Sequence, residues 1–155
     1  MNKIEPDHYA TRRAMLLAGL RQHHIFATAF ETIPKQWQQF RALGKINGQI
    51  GNVVYGAGCG STASGFEYLT GVEVDSFSAL PEAMGKMRIS EQYYAVFLHR
   101  DHISTIKKTW ELILHDWIPR SGVQVVEKPN FELYEEPFNP ETGLGGVEIY
   151  IAVER

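Results

Sequence analysis

Residues 14–21 (AMLLAGLR) are apolar almost without a break, which predicts a short central strand rather than a half-exposed one. A polar break follows at Gln22-His23-His24. Thr32-Ile33-Pro34 then predicts a helix start, with Thr32 as the cap and Pro34 tolerated in a first turn that needs no intrahelical donor. Ile33, Trp37, Phe40 and Leu43 recur at helical spacing as one apolar stripe, and Gly44 supplies the stop. Beyond it NVVYGAG and FEYLTGVEV flank the stretch GCGSTASG, predicting two strands joined by a glycine-rich turn. Residues 1–12 read as a polar lead-in.

The same order then returns. YYAVFLH (93–99) predicts a strand, and 104–118 a helix with Ile106, Trp110, Ile113, Leu114 and Trp117 on one side. Pro119 and Ser121-Gly122 end it. PNFELYEEP (129–137) and GGVEIYIAVE (145–154) predict two more strands. GFEYLTGVEV from Gly65 aligns with GVEIYIAVER from Gly146, setting Glu67 opposite Glu148, and Trp37 stands opposite Trp110. Two copies of about 80 residues are too few and too long for a solenoid. The expected fold is therefore α+β: one domain over 1–155, made of a tandem βαββ repeat (about 14–75 and 86–155) with pseudo-twofold symmetry and a ligand cleft between the halves.

Composition narrows the function. A chain of 155 residues buries about 70% of its unfolded surface and needs no metal or disulfide to fold. With 15 basic against 18 acidic residues, it lacks the Lys/Arg excess that nucleic acid demands, so no direct nucleic-acid partner is expected. Cys59 is the only cysteine, which fits a reducing compartment. The N-terminal residues do not read as a signal peptide and no run approaches the length of a membrane helix, so a cytoplasmic protein is expected. Eighteen aromatics make up 12% of the chain, either as ordinary core or as the wall of an apolar ligand pocket.

Several motifs fall away on inspection. Gly56, Gly58 and Gly60 spell GxGxG, but a strand follows rather than the helix a phosphate loop requires, so a flexible hairpin turn is favoured. In His99-Arg100-Asp101-His102, Asp101 is placed to cap the next helix, and no second cluster completes a metal site. Cys59 has no base beside it in sequence. No cofactor or catalytic residue is expected. The carboxylates are more informative. Glu148 lies amid Val147, Ile149, Tyr150 and Ile151, and either faces solvent on the wet side of a sheet or is buried with a partner. A lone carboxylate beside an aromatic is what a site for an organic cation would use.

The order of strands with the WxxF helix, YYAVFLH, TIKKTWELILHDWIPRSG, FELYEE and VEIYIAV resembles the GyrI-like small-molecule-binding domain, which also forms the effector-binding part of many AraC-type and MerR-type regulators. The resemblance covers about 14–155 and implies a stand-alone binding protein for small lipophilic, cationic molecules. It implies an acidic residue in the cleft at Glu148, with Glu132 of FELY as second candidate. Tyr94, Tyr134, Tyr150 and Trp110 would form the aromatic wall, with Tyr68 and Trp37 as further ligand contacts. The dozen residues before Ala14 cannot hold a helix-turn-helix, so a separate regulator or DNA gyrase is a possible partner. Two alternatives stay open: a hydrolase of lipophilic electrophiles using Glu148 as general base with Tyr150 or Tyr94 as donor, and a gyrase-interacting protein.

Overall fold

The computed structural model describes residues 3–135 and 138–155. Its strands are β1 (His8–Arg12), β2 (Met15–Ile25), β3 (Gln49–Cys59), β4 (Gly65–Val74), β5 (Gly85–Ile89), β6 (Gln92–His99), β7 (Asn130–Tyr134) and β8 (Val147–Ala152). They form one antiparallel sheet in the order β1-β6-β8-β7-β3-β4-β2-β5. Helix α1 (Ala29–Ala42) links β2 to β3, and α2 (Ile106–Leu112) with α3 (Ile118–Ser121) links β6 to β7. The class is the expected α+β. From the centre outward each half reads second, third, first strand, the order a twofold relation between the halves would require.

Chain geometry forces this sheet to curl. β1 and β2 stand six places apart, which in a flat sheet is about 29 Å at a strand spacing of about 4.8 Å. Yet the chain passes from Arg12 at the end of β1 to Met15 at the start of β2, a reach of only about 11 Å. Both ends of the sheet must therefore bend round to meet the link, giving a half-barrel.

The two faces of the half-barrel are distinct. Cross-strand partners share a face, so Phe131 with Tyr150 and Leu133 with Glu148 lie on one side, and Glu132 with Ile149 on the other. The inner side is packed by Met15, Leu17, Tyr55, Leu69, Met87, Tyr94, Phe131 and Tyr150. Helices cover the other: Ile113 and Trp117 pack on Ala95, Phe97, Ile149 and Ile151, while Phe40 packs on Ala18, Val72 and Val74.

Several elements differ from the sequence reading. β1 and β5 were not expected; both are short edge strands whose HYATR and GKMRI carry too few apolar residues to announce themselves. Helix α1 begins three residues before Thr32, which sits inside it with its hydroxyl on the Thr28 carbonyl, and Pro34 is an interior residue. Gly44 does stop the helix, in the left-handed conformation at φ 72°. The residue that α1 buries completely is Gln36, while Leu43 is exposed. Gln36 donates to the Leu20 and Tyr68 carbonyls and accepts from the buried His24, fastening α1 to β2 and β4. In the second helical stretch a π turn at Ile113–Trp117 shifts the register, so Leu114 leaves the buried side. His102, not Asp101, caps the opening turn by accepting from the Ser104 amide. Strand β3 runs through Gly56 and Gly58, leaving only Gly60 of GxGxG in the turn. Of the predicted strand at 129–137, Glu136 and Pro137 lie outside the described residues.

Candidate functional site

Strand β7 carries Glu132 on the helix-covered face at the middle of the sheet, and its side chain is almost fully buried. Three donors converge on it. The Tyr68 hydroxyl of β4 donates to Oε1 at 2.6 Å, the Tyr134 hydroxyl to the same oxygen at 2.9 Å, and the Trp110 Nε1–H of α2 to Oε2 at 2.7 Å. Trp37 of α1 completes the enclosure, its ring 5.0 Å from Tyr134 and 6.5 Å from Tyr68, both edge-on. Phe66 and Phe138 extend the aromatic surface from Tyr68 and Tyr134. One tryptophan from each helix thus flanks a single carboxylate.

Gly56 makes this arrangement possible. It stands directly opposite Glu132 on β3, and a Cβ there would overlap the Tyr68 hydroxyl and lie 2.8 Å from Glu132 Oε1. A glycine is required because the tyrosine hydroxyl and the carboxylate meet over its bare backbone.

Burial controls the electrostatics. It pushes the Glu132 carboxyl above its ordinary range, against the three hydrogen bonds, which favour the ionised form. Tyr68 and Tyr134 are raised well above the ordinary phenol value, first by burial and then by the neighbouring carboxylate, so both remain neutral donors. Since the folded protein holds the Glu132 proton more tightly than the unfolded chain, this residue's contribution to stability is full below the ordinary carboxylate pKa and is lost as pH rises through the raised value. A cation held against this carboxylate would favour the ionised form, so its binding would strengthen with pH across that window and release a proton, detectable by calorimetry in buffers of different ionisation enthalpy. Proton uptake on binding would contradict this.

The other sequence-derived candidates lie across the sheet. Glu148, Tyr150 and Tyr94 are on the inner face, where the Tyr150 hydroxyl donates to Glu148 Oε1 at 3.2 Å and Tyr94 packs 5.7 Å from Tyr150. Burial raises the Tyr94 phenol to about 12, moderated by Arg12. The structure thus brings together Glu132, Tyr134, Tyr68, Trp110 and Trp37, and separates them from Glu148, Tyr150 and Tyr94. Gly56 was missed as a site residue; the signal was glycine at alternate positions of a strand, which strips one face of side chains.

Two open cavities, of about 380 and 490 Å³, lie along the sheet margins against Tyr93 and Val126 and against Met15 and Lys128. Glu132 lines neither, and the convergent donors mark the site better than shallow surface space does. Among the described residues, no group of three or more His, Cys, Asp or Glu is placed to hold a metal, and no helix is long and apolar enough to cross a membrane.

Residues 11–153 match the family described as Cass2, integron-associated effector binding protein. The chain is 27% identical over 130 residues to the transcriptional regulator BrlR of Pseudomonas aeruginosa, a match covering 79% of this chain and 47% of BrlR, so the chain spans about half the length of that relative. Among solved structures it is similar to SAV2435 bound to tetraphenylphosphonium, with TM-score 0.76 and 19% identity over 95% of this chain and 93% of that one. The integron cassette protein VCH_CASS2 of Vibrio cholerae gives TM-score 0.72 and 18% identity over 98% of each chain. At such identities the two structures establish the fold.

Proposed function

The chain belongs to the Cass2 family of integron-associated effector-binding proteins, and from that premise we propose that it binds lipophilic organic cations between α1 and α2, with Glu132 as the charged anchor. One observation carries the reading: a carboxylate in the middle of the sheet, desolvated and ringed by Trp37, Tyr68, Trp110 and Tyr134. Desolvation strengthens its attraction for a cation, and aromatic faces add roughly 0.5–2 kcal/mol of cation–π interaction each. Such recognition reads charge and apolar bulk rather than a hydrogen-bond pattern, which suits rigid cations with few donors of their own. That SAV2435 was solved with tetraphenylphosphonium makes this cation the natural probe.

Access requires movement. Glu132 is closed over, and the half-buried Trp37 and Trp110 are the walls that a ligand must displace. A cation that displaces the Trp110 N–H replaces a charge-assisted hydrogen bond to the carboxylate with an ion pair.

No covalent step is needed for this function. Thermal-shift measurement against cationic, neutral and anionic lipophiles of similar size, with each mixture assayed for product, tests the reading. Stabilisation confined to the cations, without turnover, is the expected result. Stabilisation by anions alone, or hydrolysis of a neutral compound, would overturn it.

A further inference from the structure

The inner face of the half-barrel contains a charge that the proposed cleft does not use. Arg12 pairs with Gln92 at the end of β1 and points inward. Its Nη1 donates to the Tyr150 hydroxyl and its Nη2 to the Tyr55 hydroxyl, both at 3.3 Å. The guanidinium carbon lies 5.1 Å from the Tyr150 ring centroid and 5.6 Å from that of Phe131. Tyr150 passes its own proton donation on to Glu148, so guanidinium, phenol and carboxylate form a chain. Among the described residues Arg12 makes no direct ion pair. It is held beside the stacked Phe131–Tyr150 pair, whose ring centroids are 4.6 Å apart, and by two phenol oxygens, with the carboxylate one step behind.

The neighbouring link residue is fixed by other means. Arg13 grips Glu73 of β4 with two hydrogen bonds, at 2.6 and 3.0 Å, so the β1–β2 connection has an anchor that does not depend on Arg12. Removing the Arg12 side chain would therefore empty the cage while the link remains tied to the sheet.

We propose that this inner face is a second cation site, a guanidinium cage built by Tyr55, Phe131 and Tyr150 with Glu148 behind, in which Arg12 is the resident occupant and whose place a free guanidinium or amidinium compound can take. Planarity sets the class. The occupant lies beside the stacked Phe131–Tyr150 pair while its two amino groups reach two hydroxyls on strands β3 and β8, which suits the forked donors of a planar guanidinium or amidinium better than a tetrahedral ammonium. Because Arg12 is tethered, its effective concentration is on the order of millimolar or more, so a free competitor gains little until the tether's end is removed.

The test uses Arg12→Ala with methylguanidinium as probe. At about 10 mM the probe is expected to raise the melting temperature of Arg12→Ala by about 3–6 °C and that of the wild type by less than about 1 °C. Methylammonium at the same ionic strength is expected to give less than half that rise. Adding Tyr150→Phe to Arg12→Ala removes one acceptor and is expected to cut the response at least twofold, whereas adding Glu132→Gln leaves it unchanged, which separates this site from the cleft on the other face. Equal responses in wild type and variant, or equal responses to the two cations, would overturn the proposal. If Arg12→Ala does not fold alone, the readout becomes recovery of its circular dichroism on adding methylguanidinium, alongside the melting shift of Arg12→Lys; failure of both would equally overturn it.

Discussion

Glu132→Gln is expected to lower the affinity for tetraphenylphosphonium at least thirtyfold while leaving the fold intact. Loss of one member of a desolvated charge pair costs about 2–5 kcal/mol. The substitution keeps the side chain's size, and the donors around it adapt. With the amide oxygen turned to the Trp110 N–H, which can only donate, the amide nitrogen faces the Tyr68 and Tyr134 hydroxyls, which accept as readily as they donate. Each hydroxyl oxygen then keeps a partner, while the two O–H protons lose the carboxylate oxygen that accepted them. That cost opposes the relief of removing a buried carboxylate, so without ligand the variant is expected to melt close to the wild-type temperature. Binding of a neutral lipophile of equal size is expected to change less than threefold, because the aromatic walls persist. Glu148→Gln, altering a carboxylate on the far side of the sheet, is expected to change tetraphenylphosphonium affinity by less than about threefold. The reverse ranking of the two variants, measured by calorimetry, would move the anchor to Glu148.

Gly56→Ala is expected to damage the same site with a single methyl group. The added carbon falls on the Tyr68 hydroxyl and beside Glu132 Oε1, and both side chains are held in buried surroundings that cannot retreat freely. Overpacking of this kind costs about 1–3 kcal/mol. Splitting the Tyr68–Glu132 hydrogen bond is expected to reduce cation affinity at least tenfold. Gly58→Ala provides the control. It lies two residues along the same strand and on the same face, yet its methyl group would meet Phe66 at 3.7 Å, an ordinary contact. Its stability is expected to stay within about 0.5 kcal/mol of wild type. Equal losses in the two variants, by urea denaturation and calorimetry, would show that β3 simply disfavours side chains on that face.

How much of this was legible in the chain depended on burial. The buried stretches of β2, β4, β6 and β8, all interior to the sheet, were visible because both faces are covered there, whereas Gln22-His23-His24, read as a polar break, continues β2 to Ile25. The edge strands β1 and β5 are polar, as edges are, and gave no such signal. Period-two alternation puts Glu132 and Tyr134 on one side of their strand and Glu148 and Tyr150 on one side of theirs. It could not say which face the helices would cover. That depends on register, set by the pairing of Gly56 with Glu132 and of Glu132 with Ile149, which no local pattern encodes. The family resemblance of the VEIYIAV run put Glu148 first and Glu132 second, whereas Glu132 is the carboxylate with three donors. Gln36 was hidden for a related reason: a glutamine in the polar run Lys35-Gln36-Trp37-Gln38-Gln39 reads as a surface residue unless its partners, His24 and two strand carbonyls, are known.

On the proposed reading, charge at Glu132, and not apolar bulk alone, selects the ligand. Tetraphenylphosphonium and tetraphenylborate share shape and size and differ in the sign of their charge. Isothermal titration of the wild-type protein with both, at a pH above the raised Glu132 value, isolates that difference. The phosphonium is expected to bind at least a hundredfold more tightly than the borate, and the preference is expected to fall at least tenfold in Glu132→Gln. Equal affinities in the wild type, or a preference that survives Glu132→Gln unchanged, would contradict it.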